Sequence, residues 1–183
     1  MTATITINRA PVLTLWAAVV AERLGHDRDA ALTLGKAVAG LNAQSKGRRL
    51  GIYAAPEGGE AGKKAAEREK GAKATKAAAG TVELLHRQVP VRRTPNGLRA
   101  LERGKAANPD AVERYLESKF GEALDDARAA MKALARAFPK AELAARAYDL
   151  YEAFRPAIPS GTRGWGAKGV LDLGKLRKLA TRG

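Results

Sequence analysis

The chain contains no cysteine. That absence excludes a disulfide framework, a thiolate zinc site, an iron–sulfur cluster and a catalytic thiol, and it fits a reducing, cytoplasmic setting. Aromatic residues are scarce as well, at 5%, and much of the 45% apolar share is alanine. A sandwich of bulky strands needs more side-chain volume than this, whereas closely packed helices do not. Long hydrophobic runs are also missing. No stretch reaches the ~18 apolar residues needed to span a bilayer. The apolar run near the N-terminus has no basic start and ends at Glu22 and Arg23, so it reads as a core helix and not as a signal peptide. No membrane partner is expected.

The inventory for catalysis is equally thin. The two histidines, His26 and His86, lie too far apart for a local metal motif. Asp125 and Asp126 are adjacent on a helical stretch and diverge. Glu83 and His86 are close enough to share a site, but a lone pair of this kind is usually structural. No enzyme, metal or cofactor is expected.

What the chain has in excess is positive charge: 33 Lys and Arg against 19 Asp and Glu, a net +14. Such an excess costs self-repulsion, and a polyanion is its natural partner. The excess is unevenly placed. Residues 110–155 sum to −1, while 1–55 and 81–109 each carry +4, 56–80 carry +2 and 156–183 carry +5. A neutral scaffold with basic appendages favours contact with phosphates over a uniformly basic surface.

Periodicity supplies the scaffold. Residues 2–7 are β-branched and alternating, as in a short strand or extended arm. Asn8 is placed to cap a helix in which Val12, Leu15, Trp16, Val19, Val20 and Leu24 recur at helical spacing, with Trp16 in the core and Gly25 at the end. Asp27 or Asp29 opens a second helix, with Ala31, Leu34, Val38 and Leu41 on one face, that fades over 42–45 into a basic turn, Lys46-Gly47-Arg48-Arg49. This pair has helix-turn-helix spacing, and it equally suits a hairpin used only for packing. Residues 50–54 and 81–93 are strand-like, the latter broken at Pro90, and would form a small hairpin around the low-complexity Ala/Lys/Glu/Gly segment 56–80. That segment is similar in composition alone to the Lys/Ala tails of DNA-compacting proteins. It is read as a flexible linker or a solvated helix.

The strongest pattern follows Asn108-Pro109-Asp110. Leu116, Phe120, Leu124, Ala127, Met131, Leu134 and Phe138 step by four or three, and after Pro139 the run resumes at Leu143, Ala147, Leu150 and Phe154. Two helices are expected, or three if Gly121 kinks the first. Ser160 to Gly169 is glycine-rich and carries Arg163, Trp165 and Lys168, offering either a phosphate-approaching loop with a stacking platform or a tail whose tryptophan docks on the body. It is not a P-loop: Ala167 intervenes before Lys168, and Gly169 stands where Ser or Thr is required. A short basic helix from Asp172 carries Lys175, Arg177 and Lys178.

The expected fold is mainly α: a bundle of about four to six helices with a small hairpin-like β element and a basic glycine-rich tail. Residues 1–155 would be the nucleic-acid-binding domain, with 56–80 as loop or insertion, and 156–183 the tail. Lys46, Arg48, Arg49, Arg92, Arg93, Arg163, Trp165, Lys168, Lys175, Arg177 and Lys178 are the candidate contacts. Arg128, Lys132, Arg136 and Lys140, spaced by four, read either as a phosphate-tracking ridge or as a solvated helix face. The expected function is backbone-directed DNA binding of limited specificity, nucleoid-associated, architectural or regulatory, with a homodimer allowed. Structured RNA is the alternative within that class, and a helical interaction module with an acidic protein partner the alternative outside it.

Overall fold

The computed structural model describes residues 4–49, 80–102, 104–158 and 168–182. It is mainly helical with two antiparallel sheets. In chain order the elements are β1 (Thr4–Asn8), α1 (Arg9–Arg23), α2 (Arg28–Arg49), β2 (Gly80–Leu84), β3 (Arg87–Thr94), β4 (Gly97–Glu102), β5 (Lys105–Ala106), α3 (Pro109–Phe120), α4 (Leu124–Arg136), α5 (Lys140–Phe154), β6 (Lys168–Asp172) and α6 (Leu173–Thr181).

Helix α1 is the centre of the molecule. Every residue from Pro11 to Ala21 is buried. The spaced large residues mark only one stripe of it; Leu13, Thr14, Ala17, Ala18 and Ala21 between them are buried too, as in a helix packed on all sides. Trp16 is fully buried, donates from Nε1 to the Ala147 carbonyl at 2.8 Å, and meets Phe154 edge-on. Gly25, at φ +113°, closes the helix: its N–H reaches Glu22 O while that of His26 reaches Ala21 O, the paired bonds of a left-handed glycine terminus.

Helix α2 packs along α1. Residues 30–39 are buried apart from half-buried Lys36, whose ammonium lies 3.9 Å from the centre of the Tyr115 ring. Over 30–39 α2 is enclosed as in a packing hairpin and offers no face to a DNA groove; of residues 44–49 the backbone only is described. The predicted fade at 42–45 is also corrected, because α2 continues to Arg49. Asn42 does not end it: the residue is buried, and its Oδ1 accepts from Arg87 Nη2 at 3.2 Å and from the Tyr148 hydroxyl at 3.4 Å. Lys46, Arg48 and Arg49 therefore occupy the last turn of a helix, where cations complement its dipole.

The run 81–93 is not one strand. It folds back at Leu85-His86, which pair β2 with β3 through a two-residue turn, and Pro90 sits inside β3 opposite Thr81. The proposed partner strand, 50–54, lies outside the described residues, as do 51–79. β3 pairs instead with β4, and that ladder stops at Val91↔Ala100, one position short of Pro90, which has no N–H to continue it. β4 turns to β5 at Leu101↔Ala106, and Ala100 gives its N–H to the Thr33 hydroxyl at 3.0 Å. Thr33 is fully buried on α2, so this bond fastens the sheet to the helical core.

Both turn residues adopt left-handed backbone, Leu85 at φ +49° and His86 at φ +60°. Such a turn favours Asn-Gly, and bulky side chains there are strained. Burial of the Leu85 side chain offsets part of the cost. His86 is exposed against the Tyr148 ring, so its strain is removable. His86→Gly is expected to be neutral or to stabilise by up to ~1 kcal/mol, and His86→Val to cost ~1–2 kcal/mol. Equal urea midpoints for the two variants would be incompatible with that turn.

Asn108 caps α3, accepting from Asp110 N at 2.9 Å. Gly121, at φ +58°, opens a short 3-10 turn (Gly121–Ala123) that separates α3 from α4, so the long apolar run resolves into three helices, with α5 beyond Pro139. All eleven predicted core positions of this run are buried. The last described segment belongs to the same core. β6 pairs antiparallel with β1, and Leu171, Leu173 and Leu176 are fully buried. Asp172 Oδ1 caps α6 by accepting from Gly174 N and Lys175 N. Lys168–Thr181 is thus an integral strand and helix, with α6 lying on α4.

Candidate nucleic-acid interface

The cations differ in what they touch. In the helical block Arg28, Arg128, Lys132 and Arg146 pair with acids, while Arg114, Lys119, Arg136, Lys140 and Arg155 make no salt bridge among the described residues. Glu113 accepts from Arg128 Nη2 at 2.7 Å and lies 3.3 Å from Arg28; Lys132 lies 4.0 Å from Glu22; Arg146 pairs with Glu142 at 2.9 Å. Arg28, Arg128 and Lys132 border a groove of about 280 Å³ between α1, α2 and α4, with Glu22 on the same rim. The supposed ridge Arg128, Lys132, Arg136, Lys140 therefore spends its first two members on acids, leaving Arg136 and Lys140 exposed.

The C-terminal cations differ. Lys168, Lys175, Arg177, Lys178 and Arg182 are all exposed, and among the described residues none has a carboxylate within 4 Å. The one acid of this stretch, Asp172, is occupied as the cap of α6. Leu173 and Leu176 fix the inner face of α6, which sets Lys175, Lys178 and Arg182 in a stripe at i, i+3 and i+7. At 1.5 Å per residue the stripe is about 10 Å long, roughly three nucleotide steps along one strand. Arg177 flanks it. Arg182 was not among the sequence candidates, although it continues their spacing.

Arg92 and Arg93 do not act as a pair, because neighbouring strand residues face opposite ways. Arg92 is half-buried, donates to Gly104 O at 3.2 Å, and stands directly across from Arg99. Arg99 is buried, donating to Leu98 O and Asn96 O, with Asp29 at 3.7 Å. Arg93 alone is exposed. Of Lys46, Arg48 and Arg49 the backbone only is described, and Arg163 and Trp165 lie outside the described residues.

Sequence reasoning missed a further group of cations. Arg9 begins α1, and its Nε donates to the Pro156 carbonyl at 3.0 Å. Arg155 ends α5 and lies close enough to lower the Arg9 pKa, after burial as the larger cause. Lys168 pairs in register with Asn8. Three distant segments meet here because Gly169 admits them: a Cβ on it would sit 2.8 Å from Ala157 O, where Ala157 and Val170 exchange both backbone hydrogen bonds. No periodicity in the sequence announces this contact, since Arg9 and Pro156 lie 147 residues apart.

Glu83 and His86 both line a mainly apolar groove of about 510 Å³ between α1, the β2–β3 turn and α5. Among the described residues no three His, Asp or Glu side chains are grouped to hold a metal ion, and no helix is long and apolar enough to cross a membrane. Comparison of the chain with family models, with curated proteins and with solved structures gives no match.

Proposed function

We propose that this protein binds DNA through its phosphate backbone with limited sequence specificity, as a nucleoid-associated, architectural or regulatory protein. The observation that carries the reading is the contrast between paired and unpaired cations. Five exposed cations on β6 and α6 and just after it have no acid within reach among the described residues, while Arg28, Arg128, Lys132 and Arg146 of the helical block are paired with acids. An unpaired row on a rigid helix is positioned to displace counterions from a phosphate strand. In this reading the helices form a bundle that presents the C-terminal basic segment, Gly-rich region included, to the duplex.

The deciding experiment is fluorescence anisotropy with labelled duplex DNA, single-stranded DNA and duplex RNA at several salt concentrations. Contact by the five cations predicts a slope of log affinity on log salt near −4.5, at about −0.9 per phosphate on duplex DNA. Clear preference for duplex RNA would move the assignment to structured RNA. Absence of binding to all three at ~100 mM salt would sink it, since non-specific binders of this kind have Kd values around 10⁻⁴–10⁻⁶ M under such conditions.

A further inference from the structure

We infer that the open edge of β2 pairs with the same edge of a second copy of this chain, antiparallel and about a two-fold axis at Val82. The four-stranded sheet runs β2-β3-β4-β5, so among the described residues β2 has a neighbour on one side only. Which of its backbone groups face outward follows from the turn. Leu84 and Arg87 flank the two-residue turn as a hydrogen-bonded pair, and alternation makes Val82↔Val89 and Gly80↔Val91 hydrogen-bonded as well. Thr81 and Glu83 occupy the intervening pairs, so their N–H and C=O groups point away from β3. Pro90 fits this phase, because opposite Thr81 no N–H is required of it. The far edge of the sheet is closed. There β5 is only two residues long, and beyond it Ala100 gives its N–H to Thr33 and accepts from Ala107 N at 2.9 Å. By contrast β2 has five residues and neither proline, lysine nor bulge to discourage a partner strand.

The edge is self-complementary in one register. With Val82 opposite the partner's Val82, Thr81 meets the partner's Glu83 and Glu83 meets the partner's Thr81. Each of these pairs exchanges two N–H···O bonds, which uses every outward group of both residues. Shifting the pairing towards the turn sets Glu83 against the partner's Glu83, two carboxylates face to face. Shifting it the other way carries Glu83 past Gly80, the first residue of the strand. Burial points to the same register. Val82 packs on the core beside buried Val89 and Leu84, yet it stays half-exposed where the apolar row ends at the edge. The partner's Val82 would continue that row, at the ~4.5 Å Cα separation of a non-hydrogen-bonded pair. Thr81 and Glu83 lie on the other face, both exposed, and Glu83 makes no salt bridge among the described residues. Because the axis joins like surfaces, the contact closes at two copies.

The test is sedimentation equilibrium of the full chain, stripped of nucleic acid, over a range of concentrations. The mass is expected to rise from one chain to two and to stop there. Variants at exposed Thr81 then read the register. Thr81→Lys sets a cation opposite the partner's Glu83 and should tighten the dimer, whereas Thr81→Glu sets a carboxylate there and should weaken it. Each change should be about two- to thirty-fold, for two such pairs per dimer. The sign is diagnostic, because a chain of net charge +14 would respond to its overall field in the opposite sense. Thr81→Pro deletes one outward N–H without touching a bond to β3, so it should abolish the dimer. If that variant also melts early, the lysine and glutamate variants decide alone. A one-chain mass at every concentration up to about 1 mM would overturn the pairing. So would growth past two copies, equal or reversed affinities for Thr81→Lys and Thr81→Glu, or a dimer that a folded Thr81→Pro retains. With nucleic acid removed, the result stands apart from the DNA reading: dimerisation without oligonucleotide binding would uphold the one and defeat the other.

Discussion

Gly35→Ala is expected to destabilise the protein by about 2–3 kcal/mol, lowering its melting temperature by about 5–10 °C. Intrinsic propensity argues the other way, because alanine is favoured over glycine inside a helix by about 1 kcal/mol. The contact decides. A Cβ on Gly35 would sit 2.4 Å from the Thr14 carbonyl oxygen and 2.9 Å from Ala18 N, both backbone atoms of α1, so no side chain can step aside. The two helices would have to separate along a seam in which Thr14, Ala17, Ala18, Ala31, Leu34 and Val38 are all buried. Gly40, five residues along the same helix, supplies the internal control. It is exposed and nothing lies within 4 Å of its Cβ position, so Gly40→Ala is expected to stabilise by about 0.5–1 kcal/mol. Urea unfolding of the two variants reads the difference. The same sign for both would mean that α1 and α2 do not cross at Gly35.

That pair of glycines also marks how far the sequence could be read. Local signals were legible: Gly25, Asn108-Pro109, Gly121, Pro139 and Asp172 all punctuate the chain where the structure breaks or begins a helix. The step from Leu116 to Phe154 named buried positions because amphipathic helices carry their burial in their period. Wherever placement depends on a distant partner, the reading stopped short. Asn42 looked like a helix end and is held inside α2 by Arg87 and Tyr148. Leu85 and His86 carry no turn chemistry, so the hairpin they make could not be seen without the buried pocket that accepts Leu85. The candidate contacts divide in the same way. Lys175, Arg177 and Lys178 are exposed because a two-leucine inner face fixes them, and that pattern is local. Arg92 is drawn into the sheet by a carbonyl at Gly104, and Arg9 is bound to the carbonyl of Pro156; neither follows from spacing.

Replacing Lys175, Lys178 and Arg182 together with glutamine is expected to weaken binding to duplex DNA roughly 100-fold or more at ~0.1 M salt and to shallow the salt slope by about 3. All three residues are exposed and make no salt bridge among the described residues, and glutamine keeps the helix propensity of lysine. Stability should therefore move by no more than about 0.5 kcal/mol, which separates lost contact from lost fold. The reciprocal substitution makes the assignment sharp. Arg28→Gln with Arg128→Gln removes almost as much charge, yet both guanidinium groups are held by Glu113, whose side chain is only 18% exposed. That pair should cost stability, by leaving a half-buried carboxylate without partners, while changing the salt slope by less than one phosphate. If instead the two sets of substitutions weakened binding in proportion to the charge removed, the protein's overall field would be the binding determinant and the stripe on α6 would have no special part. A loss confined to the stripe would fix the orientation of α6 against the phosphate strand, because only that face of the helix is turned away from Leu173 and Leu176.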